Sequence, residues 1–532
     1  MFKKLFISLL LLLASNMPLP AKCLQSLYSP DRNIRLVINQ EQEHIMATVQ
    51  YQGRTIIPEI RFGVQEQKQT FYGSMKCLGF SEEAAVREQY SAIHGKRSSC
   101  SNIGNAFTMY LENPQKQKLD IEFRVYNDGV CFRYALSENQ SDSLLFINEF
   151  TTYRIHRESD RWMQKYVPHY EGDFPHEKGN VSQGEWGYPA LIRHNGCWAL
   201  LTEANIDRNY CATHLTNTAH SEFYQIAYPH REEGNGVGSI HPATQTPWFS
   251  PWRVIILGEL KNIVESTLVE DVSTPCFLTE TDWILPGSAS WIYWAYNHGT
   301  KDYRKCCEYV DLAASMHWKY VLFDWEWDQM QNGGTLEDAA DYAVSKGVKP
   351  LIWYNSGGTH NRVSSTPRDR LITKENRNRE FRRLKEMGFA GIKVDFFESD
   401  KQHMVNYYLD ILEDAAKHKL MVNFHGCTLP RGWSRTYPHL MSMEAVYGAE
   451  QYNNSPYMTT AASRLNCTYP FTRNVVGPMD YTPVAFTDSQ HPHRTTYAHE
   501  LALSVIFESG IQHWADLSLI HISEPTRRVV IS

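Results

Sequence analysis

Several short apolar runs in the second half of the chain end in polar side chains suited to chemistry. Tyr320–Asp324 leads into Asp324-Trp325-Glu326-Trp327-Asp328, and Pro350–Tyr354 ends in Trp353-Tyr354-Asn355. Gly391–Phe396 carries Lys393 and Asp395, and Leu420–His425 ends in Asn423-Phe424-His425-Gly426. Leu440–Ala445 brings Glu444, with Glu450 six residues on. One acid at a strand end is commonly a helix N-cap. Many acids interleaved with Trp, His and Asn are harder to explain so, because burying them is unfavourable without a cation or substrate hydrogen bonds. Paired carboxylates among neutral hydrogen-bonding neighbours are what glycosidic cleavage needs. One protonates the leaving oxygen and the other meets an oxocarbenium-like carbon.

Those residues need a scaffold that gathers strand ends. From about residue 285, buried strand-like runs alternate with helical patterns at Leu336–Ser345, Lys374–Met387 and Met404–His418. Repeated βα units predict a parallel sheet. Six runs are clear, starting with Trp291–Ala295; Asn474–Met479 and Ile511–Ala515, the latter after a helix over His499–Glu508, supply a seventh and eighth. Eight make a (β/α)8 TIM barrel, whose chemistry sits at the C-terminal strand ends. Earlier, Ile34–Ile38, Ile45–Tyr51, Leu119–Tyr126, Val130–Leu136 and Trp252–Gly258 read as short strands parted by turns such as Asn127-Asp128-Gly129. That rhythm predicts an N-terminal β-sandwich. The expected boundaries are a signal peptide over 1–21, a sandwich over 23–280 and a barrel over 285–516.

Composition narrows the class. The 532 residues carry a net charge of −7 and no basic block, which argues against nucleic acid. Lys3 and Lys4, the apolar Leu5–Ala14 and Pro20-Ala21 read as an export signal too short to span a bilayer, and no later segment is apolar enough to insert in a membrane. The expectation is a secreted, periplasmic protein; Lys22 before Cys23 argues against lipidation. Eleven scattered cysteines without a CxxC exclude a zinc-cysteine motif. The string LSLIHISEPTR at Leu517–Arg527 matches a translated sequencing adapter rather than the barrel rhythm. Residues 517–532 are therefore expected to be foreign, with the barrel's final helix and a C-terminal β-domain missing.

Long motifs then make the chain recognisable. GIKVDFFESD at Gly391–Asp400, NFHGCTLPRGWSRTYPHLMSMEAVYGAEQY at Asn423–Tyr452 and VVGPMDYTP at Val475–Pro483 resemble glycoside hydrolase family 97. The resemblance implies an exported, calcium-dependent α-glycosidase acting on an oligosaccharide or glycan. The family's inverting α-glucosidase branch has a Glu after the strand-five His, where this chain has Gly426; its retaining α-galactosidase branch has an Asp after strand four, here Asp395. The implied roles are Asp395 as nucleophile and Glu450 as acid/base. Glu444 and Glu450 would ligate Ca2+ with a sandwich-domain Glu, for which Glu185 in Gly184–Pro189 is the best candidate. Asp324, Trp325, Asn355, Lys393, His425 and Arg435 are candidate sugar contacts, with support of neighbouring groups the alternative for His425 and Arg435. Trp353 and Trp433 are either stacking platforms or core. The competing readings are an α-glucosidase on the same scaffold and a carbohydrate-binding protein without catalysis.

Overall fold

The computed structural model describes residues 22–137, 143–292, 299–488 and 490–517. The expected export signal and residues 518–532 of the expected foreign tail lie outside these residues, as do residues 293–295 of the first expected barrel run.

The N-terminal half is all β, and its strands pair antiparallel. Lys118–Tyr126 pairs with Ser99–Glu112 on one side and Gly129–Leu136 on the other. Asn127 and Asp128 make the two-residue turn between the last two, a length that suits the twist of antiparallel strands. Alternate residues of Lys118–Tyr126 face inward, so Leu119, Ile121, Phe123 and Val125 are buried. The central strands Cys197–Ala204 and Trp252–Gly258 pair with each other and are almost wholly buried.

The second half is a nearly closed parallel barrel of seven strands: β1 (Gly287–Trp291), β2 (Tyr320–Phe323), β3 (Lys349–Asn355), β4 (Gly391–Asp395), β5 (Met421–Phe424), β6 (Leu440–Met443) and β7 (Ile511–Trp514). β1 to β6 pair in sequence, and β7 returns to pair with β1. The expected strand over Asn474–Met479 is reduced to one bridge, Met479 to Met443, preceded by a 3-10 turn over Arg473–Val476. Pro478 has no N–H to give a ladder. The buried Arg473 guanidinium instead donates to the carbonyls of Met443, Glu444, Ala445, Gly477 and Pro478. The helices cover the outside. Leu336–Ser345 has the expected bounds and opens with a capping box between Thr335 and Asp338.

A buried polar seam joins the halves. Arg431, after β5, donates to Glu203 of the sandwich at 2.7 Å and to the Tyr170 hydroxyl at 2.8 Å. Tyr170 in turn donates to Asp400, in the loop after β4, at 2.5 Å. These contacts hold a sandwich loop over the barrel mouth.

Candidate active site

At the C-terminal ends of β1 to β6 lies a cavity of about 490 Å³, whose wall includes Asp324, Trp325, Trp353, Lys393, Asp395, Glu444 and Glu450. The barrel topology explains their meeting, since adjacent parallel strands end at one level. Asp395 is the last residue of β4 and lies beside Asn355, the last residue of β3. Trp353, two residues earlier on β3, donates its indole N–H to Asp395 Oδ2 at 3.1 Å.

Lys393 points inward from the same face of β4 as Asp395. Its Nζ lies 3.2 Å from Asp324 Oδ2 and 5.0 Å from the Trp291 ring centre. Trp291 donates to the same Asp324 oxygen at 2.7 Å. Burial pulls the Lys393 pKa down, but Asp324, Asp395 and Glu450 raise it more, so the ammonium stays charged. Burial raises the Asp395 pKa, while His425, Lys393 and the Trp353 N–H oppose the rise. Glu450 adds to the rise, so the Asp395 pKa is raised on balance despite Lys393 and His425.

His425 is buried with both ring nitrogens engaged: Nε2 lies 2.7 Å from Asp480 Oδ2 and Nδ1 3.3 Å from Glu444 Oε2. Burial lowers its pKa, but the Glu444 charge and the Asp480 bond raise it well above the usual value. It sits behind the cavity wall, where its ring positions Glu444 and favours an ionised Asp395. Asp480, which also accepts from Asn423 at 2.6 Å and from His513 at 2.7 Å, is held well below the usual carboxylate range.

Glu450 immediately precedes the short helix Gln451–Asn454 and makes no side-chain capping bond to it. Burial and then the Glu444 charge push its pKa up to about 8, the direction an acid catalyst needs. Glu444 is buried and accepts the Gly426 N–H at 2.8 Å. Glu171, delivered by the loop that Tyr170 anchors, also lines the cavity. It accepts from Gln451 Nε2 at 2.9 Å and is paired with His169 at 3.1 Å. Burial raises its pKa; His169 lowers it, and Glu450 and Asp395 raise it further. Carboxylates that lift one another's pKa in this way are a donor set that a hard cation would relieve, and oxygen-only ligation suits the calcium class. His425, Glu444 and Glu450 can each supply a ligand atom within 4.8 Å of the others; Glu171 lines the same cavity outside that group.

Three expectations are corrected. Glu185 is not in the cavity wall: its strand, Gly184–His194, pairs it with Thr216, and its half-exposed carboxylate meets His230 and His214 instead. Glu171 is the sandwich carboxylate that reaches the site. Asn355 is fully buried, its amide donating to the carbonyls of Val363 and Ser365 and its oxygen accepting from Gly357 and Asn361, so it shapes the β3 loop rather than touching sugar. Arg435 is turned away by the short helix Trp433–Thr436. It donates to the carbonyls of Glu270 and Asp271 and to Glu88 at 2.9 Å, and lies over the Tyr90 ring, fastening barrel to sandwich. Trp433 likewise packs in the core, with its indole on the Ile206 carbonyl. Trp325 faces the cavity with an indole N–H that has no protein partner among the described residues.

Comparisons with known proteins agree with this fold. A family model described as Glycosyl-hydrolase 97 N-terminal matches residues 27–275, and one described as Glycoside hydrolase 97 matches residues 290–446. The chain is 31% identical over 494 residues to a probable retaining alpha-galactosidase of Streptomyces bingchenggensis (strain BCW-1), covering 90% of this chain and 72% of that protein. It is 25% identical over 580 residues to a retaining alpha-galactosidase of Bacteroides thetaiotaomicron, covering 98% and 84%. The crystal structure of a beta-arabinopyranosidase matches with a TM-score of 0.89 at 31% identity, over 94% of this chain and 83% of that one. A family 97 enzyme of Pseudoalteromonas sp. strain K8 in complex with acarbose matches with a TM-score of 0.82 at 22% identity, over 95% and 83%, a likeness of fold.

Proposed function

The chain belongs to glycoside hydrolase family 97, and from that premise we propose that it is an exported, calcium-dependent α-galactosidase that removes terminal galactose with retention. The observation that carries the reading is Asp395 at the end of β4 with Gly426 pressed against it. A β-carbon at 426 would fall 3.1 Å from Asp395 Oδ1, so the nucleophile occupies the space in which a side chain at 426 would begin.

In the first step Asp395 attacks the anomeric carbon while Glu450 gives its proton to the leaving oxygen. Lys393 and His425 favour the ionised form of Asp395 against the burial that raises its pKa, and the Trp353 N–H fixes which carboxylate oxygen is free. In the second step Glu450, now ionised, takes a proton from water, which opens the glycosyl ester and frees Asp395. Calcium held by Glu171, Glu444 and Glu450 would balance the carboxylate charge and bind a sugar hydroxyl. Asp324, with Trp325 beside it, lies where sugar hydroxyls enter. The N-terminal Lys3-Lys4 and apolar run support export to the periplasm.

A second substrate is favoured by the 31% identity to a beta-arabinopyranosidase. β-L-Arabinopyranose has the ring configuration of α-D-galactopyranose without the C6 hydroxymethyl, so one site can accept both. Hydrolysis of the p-nitrophenyl α-galactoside, β-L-arabinopyranoside and α-glucoside, with and without chelator, tests the reading. It expects the first substrate to be cleaved best and chelator to reduce the rate. Preference for the glucoside would overturn the galactosidase assignment, and no hydrolysis of any would overturn the enzyme reading.

A further inference from the structure

Glu185, which the sequence points to as a metal ligand, belongs to a separate group of side chains on the sandwich. Strand Gly184–His194 places Glu185 opposite Thr216 of His214–Asn217, and that strand places His214 opposite Ala227 of Phe223–Ala227. His230 follows three residues on. Glu185 Oε2 lies 3.0 Å from His230 Nε2, and Oε1 lies 3.8 Å from His214 Nε2. One ligand atom from each of the three lies within 4.8 Å of the others.

His214 is the informative member. It is fully buried, with its ring stacked on Tyr166 at 3.8 Å and 9°, yet neither ring nitrogen has a hydrogen-bond partner among the described residues. Buried polar atoms nearly always have one. An imidazole held flat with an unsatisfied nitrogen aimed at another imidazole and a carboxylate has the arrangement a metal ion completes. Burial and then His230 push the His214 pKa down to about 3, which leaves the ring neutral and its lone pair free for coordination.

We propose that Glu185, His214 and His230 form a transition-metal site of the kind zinc occupies, with a fourth position open to water. Tetrahedral ligands about 2.1 Å from zinc stand roughly 3.4 Å apart, close to the spacings here. Glu185 and His230 are 46% and 40% exposed, which leaves an entry path. Two imidazoles select zinc-like ions over calcium, which takes oxygen donors, so this site differs in kind from the Glu171, Glu444 and Glu450 group. It also has a supporting shell. Tyr166, stacked on both histidines, donates to Glu233 Oε1 at 2.7 Å. Glu233 accepts from the backbone N–H groups of His230 at 2.7 Å and Asp400 at 2.8 Å. A bound ion would therefore brace the sandwich against the loop that follows Asp395.

The test uses the full chain, freed of metal by chelation and dialysis, then titrated with Co2+ and Zn2+. Wild type should take up cobalt with the visible bands of nitrogen and oxygen ligation and without thiolate charge transfer, which separates this site from the cysteines. With calcium already saturating, zinc should raise the Tm further, and more calcium should not. His230→Ala and Glu185→Gln should each lose at least about tenfold in cobalt affinity, and lose the zinc-dependent Tm rise. His214→Gln should lose both as well; should it fail to fold, the two exposed positions carry the test. Wild type that takes up no cobalt, a spectrum dominated by thiolate, or a His230→Ala protein that titrates like wild type would each overturn the proposal.

Discussion

A β-carbon at Gly426 would stand 3.1 Å from Asp395 Oδ1 and 2.9 Å from the backbone nitrogen of Phe396. The end of β4 and the loop after β5 are thus packed so closely that the carboxylate of one requires the bare backbone of the other. Gly426 also sits at φ +48°, and its N–H holds Glu444. Gly426→Ala should therefore displace Asp395 and lower kcat by roughly 100-fold, the scale of a 1 Å misplacement. It should cost only about 1–2 kcal/mol of stability for the left-handed backbone. Steady-state kinetics beside a melting curve separates the two effects; wild-type kcat in Gly426→Ala would show that the contact does not matter.

Removal of the nucleophile should be rescuable. Asp395→Gly should lose activity on the order of 10⁴-fold. Azide added to an activated α-galactoside should then enter the vacated space and give the β-galactosyl azide. An α-configured azide product, or a variant retaining more than a tenth of wild-type activity, would contradict the role given to Asp395.

Glu171 should behave as part of the same centre despite lying in the other domain. Glu171→Gln keeps the Gln451 neighbour and the shape but removes a charge. It should weaken calcium affinity by at least about tenfold and make hydrolysis more sensitive to chelator. Glu185→Gln should leave calcium affinity at the wild-type value. Calorimetric titration of calcium into both variants checks the distinction.

Arg435 should matter for stability and not for substrate. Arg435→Ala breaks its bonds to Glu88 and to the carbonyls of Glu270 and Asp271. A loss of about 1–3 kcal/mol is expected from the unsatisfied groups left behind. KM for a small galactoside should be unchanged; a raised KM with unchanged Tm would return Arg435 to the sugar.

Stability should fall as the medium turns alkaline. Burial first of all raises the carboxyl pKa of both Glu270 and Glu508 from 4.5 to about 7. A carboxyl whose folded pKa is raised contributes stability that is full below its unfolded pKa and is lost as pH rises through the folded one. The melting temperature should therefore decline between about pH 5 and pH 8. Glu508→Gln, which removes one titrating group, should flatten that decline. Melting curves across this range provide the check.

Much of the scaffold was legible because its physics is local. Buried parallel strands read as apolar runs, as in Tyr320–Phe323, where all four side chains are buried. Thr335 and Asp338 announce the start of a helix through their own hydrogen bonds. Asp395 and Glu450 were legible as strand-end acids within long motifs. Glu171 was not, because its direction depends on Tyr170, whose partners Asp400 and Arg431 are 230 and 261 residues away. Its loop has no periodicity to betray it; an acid between His169 and Gly172 was the only signal. Arg435 misled for the opposite reason: it is near the site in sequence, but one short helical turn faces it toward the sandwich.

Displacement by Asp395 fixes the configuration of the first product, and the stereochemistry of that product tests the role most directly. Proton NMR of the anomeric region, recorded in the first minutes of α-galactoside hydrolysis before mutarotation, reports which anomer forms first. Two displacements at one carbon predict α-galactose as the first product. β-Galactose appearing first would mean that water, not Asp395, attacks the anomeric carbon, and would contradict the mechanism.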